Sequence, residues 1–323
     1  MKKQLIHFIG FVVLILLTWG ITDNPYSSRY LVQLKNSAPT FVSNDSLYQE
    51  IVEKAKGYEE KPIDAVIDPV WKAIPGYDGV KVNIEKSYDI MKKKGKFEEE
   101  VLVMQPIKPK ILLNDLPASP IYRGNDKKPM VSFIVNVAWG NEHIPEILKI
   151  LKENHVQATF FLEGRWVKNN SELAEMIFEA GHEIGNHSFS HPDMGKLSRQ
   201  LAIEEIQKTN DVIQATLDIK PKWFGPPSGS YNQQTIEAAS QLGMKTVLWS
   251  VDTVDWRNPN PSDMVERVRS KLHPGAMVLM HPTEATVKGL EGMIKAVEKK
   301  EYKLGKVSTL LSEQRIEMIH SDR

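Results

Sequence analysis

The sequence predicts an α/β protein whose main domain is an incomplete or distorted β/α barrel. From residue 130 onward, short apolar runs alternate with amphipathic helical segments. Polar residues gather just after these apolar runs, as they do at the carboxyl ends of barrel strands. Gly181 and Gly243 stand where helices are expected to end. The repeated units favour a distorted barrel over a doubly wound sheet.

The elements of this domain follow from the alternation. The predicted strands lie at residues 131–137, 158–162, 182–186, 222–225, 245–251 and 276–280. The predicted helices lie between and after them, at residues 145–154, 171–180, 198–217, 233–242, 262–272 and 289–299. We therefore place the domain at residues 130–312, followed by a tail at 313–323.

The first 22 residues have the layout of a signal peptide or a membrane anchor. Lys2 and Lys3 precede an apolar run that extends from about residue 6 to residue 21. No small-x-small cleavage site follows, and Trp19 suits a membrane interface, so an uncleaved anchor is favoured over a cleaved signal. We expect an extracytoplasmic protein, anchored in the membrane or secreted.

Three segments separate this start from the barrel. Residues 23–45 are polar and poorly patterned, which indicates a spacer. Residues 46–105 mix helix-like and strand-like stretches and are predicted to form a small α+β module of unknown function. Residues 106–129 are rich in proline and are predicted to be a semi-rigid linker.

Composition narrows the classes of partner and of metal ligand. Among 323 residues, Lys and Arg number 41 and Asp and Glu number 41, so no net charge attracts nucleic acid. There is no cysteine, which excludes thiolate metal ligands and a cysteine nucleophile. Any metal must be held by histidines and carboxylates.

His187 and His191 form the strongest local motif, in the sequence GNHSFSH. The two residues are four apart just after a predicted strand end, so both imidazoles can bind one cation. The alternative is a hydrogen-bonded histidine pair that caps a loop.

Five stretches resemble, in order and spacing, the polysaccharide deacetylase family, also called the NodB homology domain or carbohydrate esterase family 4. The resemblance covers about residues 125–312. It is carried by the following stretches: PEILKILKENHVQATFFLEG at 145–164, GHEIGNHSFSHPDM at 181–194, GPPSGSYN at 225–232, VDTVDW at 251–256 and MVLMH at 277–281.

The resemblance implies a role for each matched residue. His187 and His191 correspond to ligands of a divalent metal, most often zinc and sometimes cobalt. His281 corresponds to the general acid, and Asp255 to the carboxylate that orients it. The residues that correspond to substrate-binding positions are Trp256 and Leu279, which wall the acetyl pocket, and Pro226 and Pro227 in the Pro-Pro motif. The implied reaction is de-N-acetylation of a cell-wall glycan, peptidoglycan above all, by hydrolysis of a C–N bond.

The first motif departs from the family pattern. The family has two adjacent aspartates, a base and a third metal ligand, where this chain has Ala138 and Trp139 in NVAWG. Neither a methyl group nor an indole ring can accept a proton or coordinate zinc. The arginine that holds the base in the family is Gly225 here. The base and the arginine that holds it are therefore both absent from this chain.

Several neighbouring residues are candidates for replacing what is lost. Asn136, Glu142 and His143 lie near the end of the first predicted strand and could reach the cavity, or could be ordinary loop and strand-end residues. Asp252 is predicted to cap a loop rather than to act as a base. Trp139 could fill the emptied pocket or stack on a sugar ring, and we count it among the substrate-binding candidates.

Three functions stay open at this point. The first is a metal-dependent hydrolase slowed by the missing base, and the second is a pseudoenzyme that binds cell-wall glycan with its metal weakly bound or absent. A purely structural or protein-binding module is the third. The departures resemble a subgroup associated with spore-forming bacteria, which implies a role in sporulation.

Overall fold

The computed structural model describes residues 45–316, which divide into two compact units. The first unit comprises residues 45–54 and 84–102, and the second comprises residues 55–83 and 103–316. The predicted anchor at 1–22, almost all of the spacer and residues 317–323 of the tail lie outside the described residues. Within the described range, no helix has the length and apolarity needed to span a membrane.

The first unit is built from two amphipathic helices, α1 (Ser46–Ala55) and α2 (Ile84–Met91). Leu47 and Ile51 on α1 pack with Met91 on α2 to form its buried core. The Tyr48 hydroxyl also donates a hydrogen bond of 2.8 Å to the Glu85 carboxylate.

The second unit contains a parallel sheet of eight strands. It comprises β5 (Met130–Val137), β6 (Thr159–Leu162), β7 (Glu183–Asn186), β8 (Trp223–Phe224), β9 (Lys245–Thr246), β10 (Val251–Asp252), β11 (Met277–Met280) and β12 (Lys303–Leu304). The spatial order is β10, β11, β5, β6, β7, β8, β9, and β12 pairs with the start of β5. Within residues 45–316 no pairing joins β9 to β10, so the sheet curls without closing. The predicted incomplete β/α barrel is confirmed.

Helices connect and cover these strands. They are α3 (Ile144–Glu153), α4 (Gly164–Asn169), α5 (Ser171–Glu179), α6 (Arg199–Leu217), α7 (Gln233–Gln241), α8 (Pro261–Lys271), α9 (Glu284–Glu298) and α10 (Val307–Leu311). Capping residues explain several of their starts, since Ser198, Asn232 and Thr283 each accept a hydrogen bond from a backbone N–H of the first turn. The short helices α4 and α10 and the strand β12 were not predicted.

The core has two faces because the strand residues alternate. On β5, Val131, Phe133 and Val135 pack outward against the helices, whereas Ile134 points to the barrel interior, where it meets Phe161 and Leu279. All eight residues of β5 are buried, including the polar Ser132 and Asn136, as expected for a central strand of a parallel sheet.

Residues 46–105 are divided between the two units instead of forming one module. Four strands of the second unit precede the barrel: β1 (Val66–Asp68) pairs with β2 (Lys72–Ile74), and β3 (Gly79–Val82) pairs with β4 (Met104–Ile107). Both pairs are antiparallel. The pairing of β3 with β4 closes a loop of 21 residues that carries α2, a long-range contact that local composition does not reveal.

The proline-rich segment 106–129 is part of the second unit's core. Ile121 is 1% exposed, and its N–H donates to the Thr246 carbonyl at 2.9 Å while its carbonyl accepts from the Leu248 N–H at 2.8 Å. These bonds form a parallel bridge between Ile121 and Val247 beside β9. The predicted strand at 245–251 is two short strands in the structure, β9 and β10.

Candidate functional site

A cavity of about 430 Å³ opens at the carboxyl ends of the barrel strands. Parallel strands bring their last residues to one edge, and these residues with the following loops form the lining. It is lined by Asn136, Ala138, Trp139, His187, His191, Ser228, Trp249, Asp252, Trp256, Leu279 and His281. Residues from five separate stretches of sequence thus meet in one place.

His281 and Asp255 form a tight pair at this cavity. His281 directly follows β11, and its Nδ1 lies 2.9 Å from Asp255 Oδ1, while its backbone N–H donates to Asp255 Oδ2 at 2.5 Å. The Thr286 hydroxyl donates to the same Oδ2 at 2.7 Å. Burial raises the pKa of Asp255, but the hydrogen bonds and charge of His281 outweigh it and hold that pKa below its usual value. The carboxylate fixes the ring so that Nε2 is left for the cavity.

His187 and His191 lie side by side after β7. Their ring centroids are 5.2 Å apart and the rings meet edge to face. His187 Nδ1 lies 2.6 Å from the Gly225 carbonyl, which can only accept, so Nδ1 carries the proton and Nε2 keeps its lone pair. Burial and the neighbouring His191 lower the pKa of His187 to about 3, so the ring is neutral near pH 7.

The described residues do not fit the three-ligand metal centre that the family implies. Catalytic zinc sites use three protein ligands and leave a position for water. Between residues 45 and 316 no group of three His, Cys, Asp or Glu side chains is placed to hold a metal ion. The imidazoles of His187 and His191 supply two of the three side chains that such a centre needs.

Trp139 lies next to His281. Its ring stacks on the His281 ring with the centroids 5.9 Å apart and the planes 8° from parallel. The side chain is 47% exposed, so one face covers His281 while much of the indole is open to solvent. Trp139 and Ala138 also line a neighbouring polar cavity of about 530 Å³, together with Arg165.

The space around Gly225 is filled by Phe161. A Cβ atom at Gly225 would lie 2.8 Å from Phe161 Cδ1, and one at Gly185 would lie 2.5 Å from the same atom. Phe161 is itself 1% exposed on β6. An arginine at position 225 would therefore clash with a buried ring that packs tightly against both glycines.

The predicted substrate-binding residues divide into two groups. Leu279, which is 3% exposed, and Trp256, which is 53% exposed, both line the cavity. Pro226 and Pro227 are buried and do not line it. The prolines shape the turn after β8 and place Ser228, at φ 55°, at the cavity wall.

The candidates for replacing the lost carboxylates lie in different places. Asn136 and Asp252 line the cavity, and Asp252 Oδ1 accepts the Val254 N–H at 2.8 Å, which is the predicted loop cap. Glu142 is 73% exposed and lies 3.6 Å from His143. Neither of these last two residues lines this cavity.

Trp249 was not predicted and belongs to the site. It lies between the short strands β9 and β10 and lines the same cavity as Trp139. An aromatic residue at the carboxyl end of a predicted barrel strand was the available signal, but the strand was predicted to continue through it.

Comparison with known proteins bears directly on this arrangement. The sequence model of the polysaccharide deacetylase family matches residues 123–247. The chain is 49% identical to the uncharacterised protein YlxY of Bacillus subtilis over 98% of this chain and 99% of that protein. It is 48% identical to BA3943 of Bacillus anthracis, solved as a pseudoenzyme of carbohydrate esterase family 4, with a TM-score of 0.78 over 84% of this chain and 97% of that one. This chain belongs to the polysaccharide deacetylase family.

Two further relatives show the range of that family. A mutant of BA3943 described as having restored enzymatic activity is 47% identical, with a TM-score of 0.78 over 84% of this chain and all of that one. The peptidoglycan N-acetylmuramic acid deacetylase PdaA of Bacillus subtilis is 29% identical over 61% of this chain and 77% of its own length. The family thus contains both deacetylases and a pseudoenzyme, and this chain is a polysaccharide deacetylase-like protein.

Proposed function

We propose that this chain is a pseudoenzyme that binds N-acetylated cell-wall glycan without hydrolysing it. The observation that carries the proposal is the stacking of Trp139 on His281 at 5.9 Å. The indole lies beside the one acid of the site, in the loop that supplies the base and a metal ligand in active family members.

The chemistry of amide hydrolysis explains why this arrangement is inactive. The reaction needs a base to take a proton from water, and a general base is typically worth ~10² to 10⁴ in rate. Neither Ala138 nor Trp139 can accept a proton. The pairing of His281 with Asp255 retains an acid, but an acid without an activated water has no nucleophile to assist.

The remaining lining suits a sugar. Trp139, Trp249 and Trp256 place three indoles around one opening, and Asn136 and Asp252 add polar atoms beneath them. Aromatic faces pack against the apolar faces of sugar rings, while amide and carboxylate groups bond their hydroxyls. Peptidoglycan is the proposed glycan because relatives such as PdaA are peptidoglycan deacetylases.

We also propose where the protein lies and how it binds a divalent metal. An apolar segment at residues 1–22 would carry the chain out of the cytoplasm as a signal or hold it at the membrane, where this glycan lies. His187 and His191 would bind zinc or cobalt weakly with only two protein ligands. A role in sporulation is supported by the resemblance of the first motif to that of a subgroup from spore formers.

The test measures, by calorimetry, the binding of an N-acetylglucosamine tetramer to the full chain. Trp139→Ala should weaken binding by roughly threefold to tenfold, the value of one lost aromatic contact. Phe178→Ala removes an aromatic side chain that is 38% exposed on α5, away from the cavity, and serves as the matched control. Equal binding by all three proteins, or no binding to wild type and to peptidoglycan fragments, would contradict the proposal.

A further inference from the structure

A second cavity, of about 1060 Å³, lies at the opposite end of the barrel from the candidate site. Met130 at the amino end of β5 lines it, as do Val156 just before β6 and His182 just before β7. The candidate site is formed by the carboxyl ends of the same strands. The two cavities are therefore separate, and the motifs of the family account only for the first.

The charge of the second cavity is strongly positive. Its lining includes Lys149, Lys152, Lys303 and Lys306, whereas Glu179 is the one acidic residue that lines it within the described chain. Lys149 pairs with Glu146 at 3.1 Å. The other three lysines form no ion pair with any residue between 45 and 316. Three ammonium groups around one opening favour an anionic ligand.

The walls between these lysines are apolar. Leu148 and Leu151 come from α3, Met176 from α5, and Val156 and Leu304 from the strand ends. Met176 is 43% exposed at this opening. A volume at the upper end of that of ordinary ligand sites, with apolar walls and a cationic rim, suits a molecule that has one charged end and one apolar end.

His182 adds a directional donor to the wall. It is 5% exposed, and its Nδ1 accepts the Ala158 N–H at 3.1 Å. In the neutral ring the proton is therefore on Nε2, which has no acceptor among residues 45–316. Burial and the charge of Lys306 lower the pKa of His182 to about 4, which keeps the ring in this neutral form.

We propose that this cavity binds an anionic amphiphile, a molecule with a phosphate or carboxylate head and a single alkyl chain. The head group accepts from His182 Nε2–H and lies among Lys303 and Lys306. The alkyl chain lies against Met176 and Leu304, which line the cavity and present more surface than the buried leucines of α3. Cationic rim, buried donor and apolar wall each match one part of such a molecule, and neither a free anion nor a neutral lipid matches all three.

The test uses a photoreactive dodecyl phosphate probe, below its micelle concentration, with the full chain. We expect saturable crosslinking that maps by mass spectrometry to Met176 or Leu304. Unlabelled dodecyl phosphate and laurate should compete at least tenfold better than dodecyl maltoside or inorganic phosphate. The triple substitution Lys152→Gln, Lys303→Gln and Lys306→Gln should weaken probe binding at least tenfold.

A matched control removes the same charge elsewhere. Lys168→Gln, Lys220→Gln and Lys271→Gln change three exposed lysines that do not line the cavity, and this variant should bind as wild type does. Equal loss in both variants would mean attraction to net charge only. If dodecyl maltoside competes as strongly as dodecyl phosphate, the cavity is an apolar site only. If inorganic phosphate competes as strongly as dodecyl phosphate, the cavity is an anion site only. Each of these results, or crosslinks that do not saturate, would overturn the proposal.

Discussion

Restoring two carboxylates should convert this chain into a deacetylase. Ala138 and Trp139 both line the candidate cavity, directly after β5, so aspartates at these positions would extend into it. We predict that the double variant Ala138→Asp, Trp139→Asp releases acetate from N-acetylglucosamine oligomers with added zinc. The expected gain over wild type is at least ~10², the lower bound for a positioned general base.

The structure indicates that this double variant will fold. Ala138 is half-buried and Trp139 is 47% exposed, and the contact that disappears is the stacking of Trp139 on His281. Stacked aromatic pairs contribute about 0.5 to 1.5 kcal/mol, which is a small part of the stability of a domain of this size. The variant should also bind zinc more tightly than wild type, because His187 and His191 gain a third ligand.

Gly225, where the family has an arginine, should not tolerate restoration of the family residue as well as positions 138 and 139 do. Gly225→Arg places a Cβ atom 2.8 Å from a ring carbon of the buried Phe161. Overpacking of this kind costs about 1 to 3 kcal/mol, so adding Gly225→Arg should lower the unfolding free energy of the double variant by that amount. Adding Phe161→Leu to the triple variant should recover part of the loss, which denaturant unfolding would measure.

The assay is acetate release over time, with zinc content measured on the same samples. The matched control is Ala138→Asn, Trp139→Asn, which has nearly the same shape but cannot serve as a base. The reasoning is refuted if the aspartate variant is folded, holds zinc and releases acetate no faster than the asparagine variant.

Two further predictions concern stability. Folding lowers the pKa of His187 from 6.5 to about 3 and the pKa of His182 from 6.5 to about 4. Below pH 6.5 the unfolded chain therefore binds more protons than the folded chain. The free energy of unfolding should fall as the pH falls from 6.5 towards 4, by about 1.4 kcal/mol per pH unit for each ring. Denaturant unfolding at pH 7 and pH 5 should show this loss, and His182→Asn should reduce it; a stability that does not change with pH would contradict the burial argument. Asp255→Asn should lower the free energy of unfolding by about 1 to 3 kcal/mol, because the buried carboxylate is 1% exposed and accepts three hydrogen bonds. Asp252→Asn should lower it by less than about 0.5 kcal/mol, because an amide oxygen can still accept the single loop hydrogen bond of Asp252. Similar costs for the two variants would argue against a special role for the buried pair.

The sequence predicted that four residues from distant stretches meet at the site, although it missed Trp249 and wrongly placed Pro226 and Pro227 in the lining. His187, His191, Asp255 and His281 are up to 94 residues apart in the chain, yet all follow the carboxyl ends of strands or lie in the loops after them. In a parallel barrel those ends share one edge, so the strand pattern and the motifs together place the residues. The fold class was predictable for the same reason.

Several side-chain contacts at the site were not predictable. Whether Trp139 fills a pocket or stacks on a ring depends on the position of His281, which Asp255 and Thr286 determine through hydrogen bonds from distant parts of the chain. The filling of the space at Gly225 depends on the packing of Phe161 against two glycines. These are properties of tertiary packing, and local patterns contain no information on them.

The segment before the barrel shows a second limit. Proline content predicted a linker at residues 106–129, but proline restricts φ and does not prevent burial. Ile121 pairs in parallel with Val247 beside β9, because its N–H donates to the Thr246 carbonyl and its carbonyl accepts from the Leu248 N–H. Such long-range pairing also explains why Trp249, in the interrupted strand, was missed.

The most direct test of the account measures binding and hydrolysis in one sample. The wild-type full chain would be incubated with zinc and an N-acetylglucosamine tetramer at saturating concentration, with indole NMR signals and free acetate followed together. We predict saturable shifts of the indole signals that are lost in Trp139→Ala, and no acetate above the background without protein. Acetate release that disappears in His187→Ala, His191→Ala would contradict this expectation, since it would show a working hydrolase at a site that lacks the base of active family members.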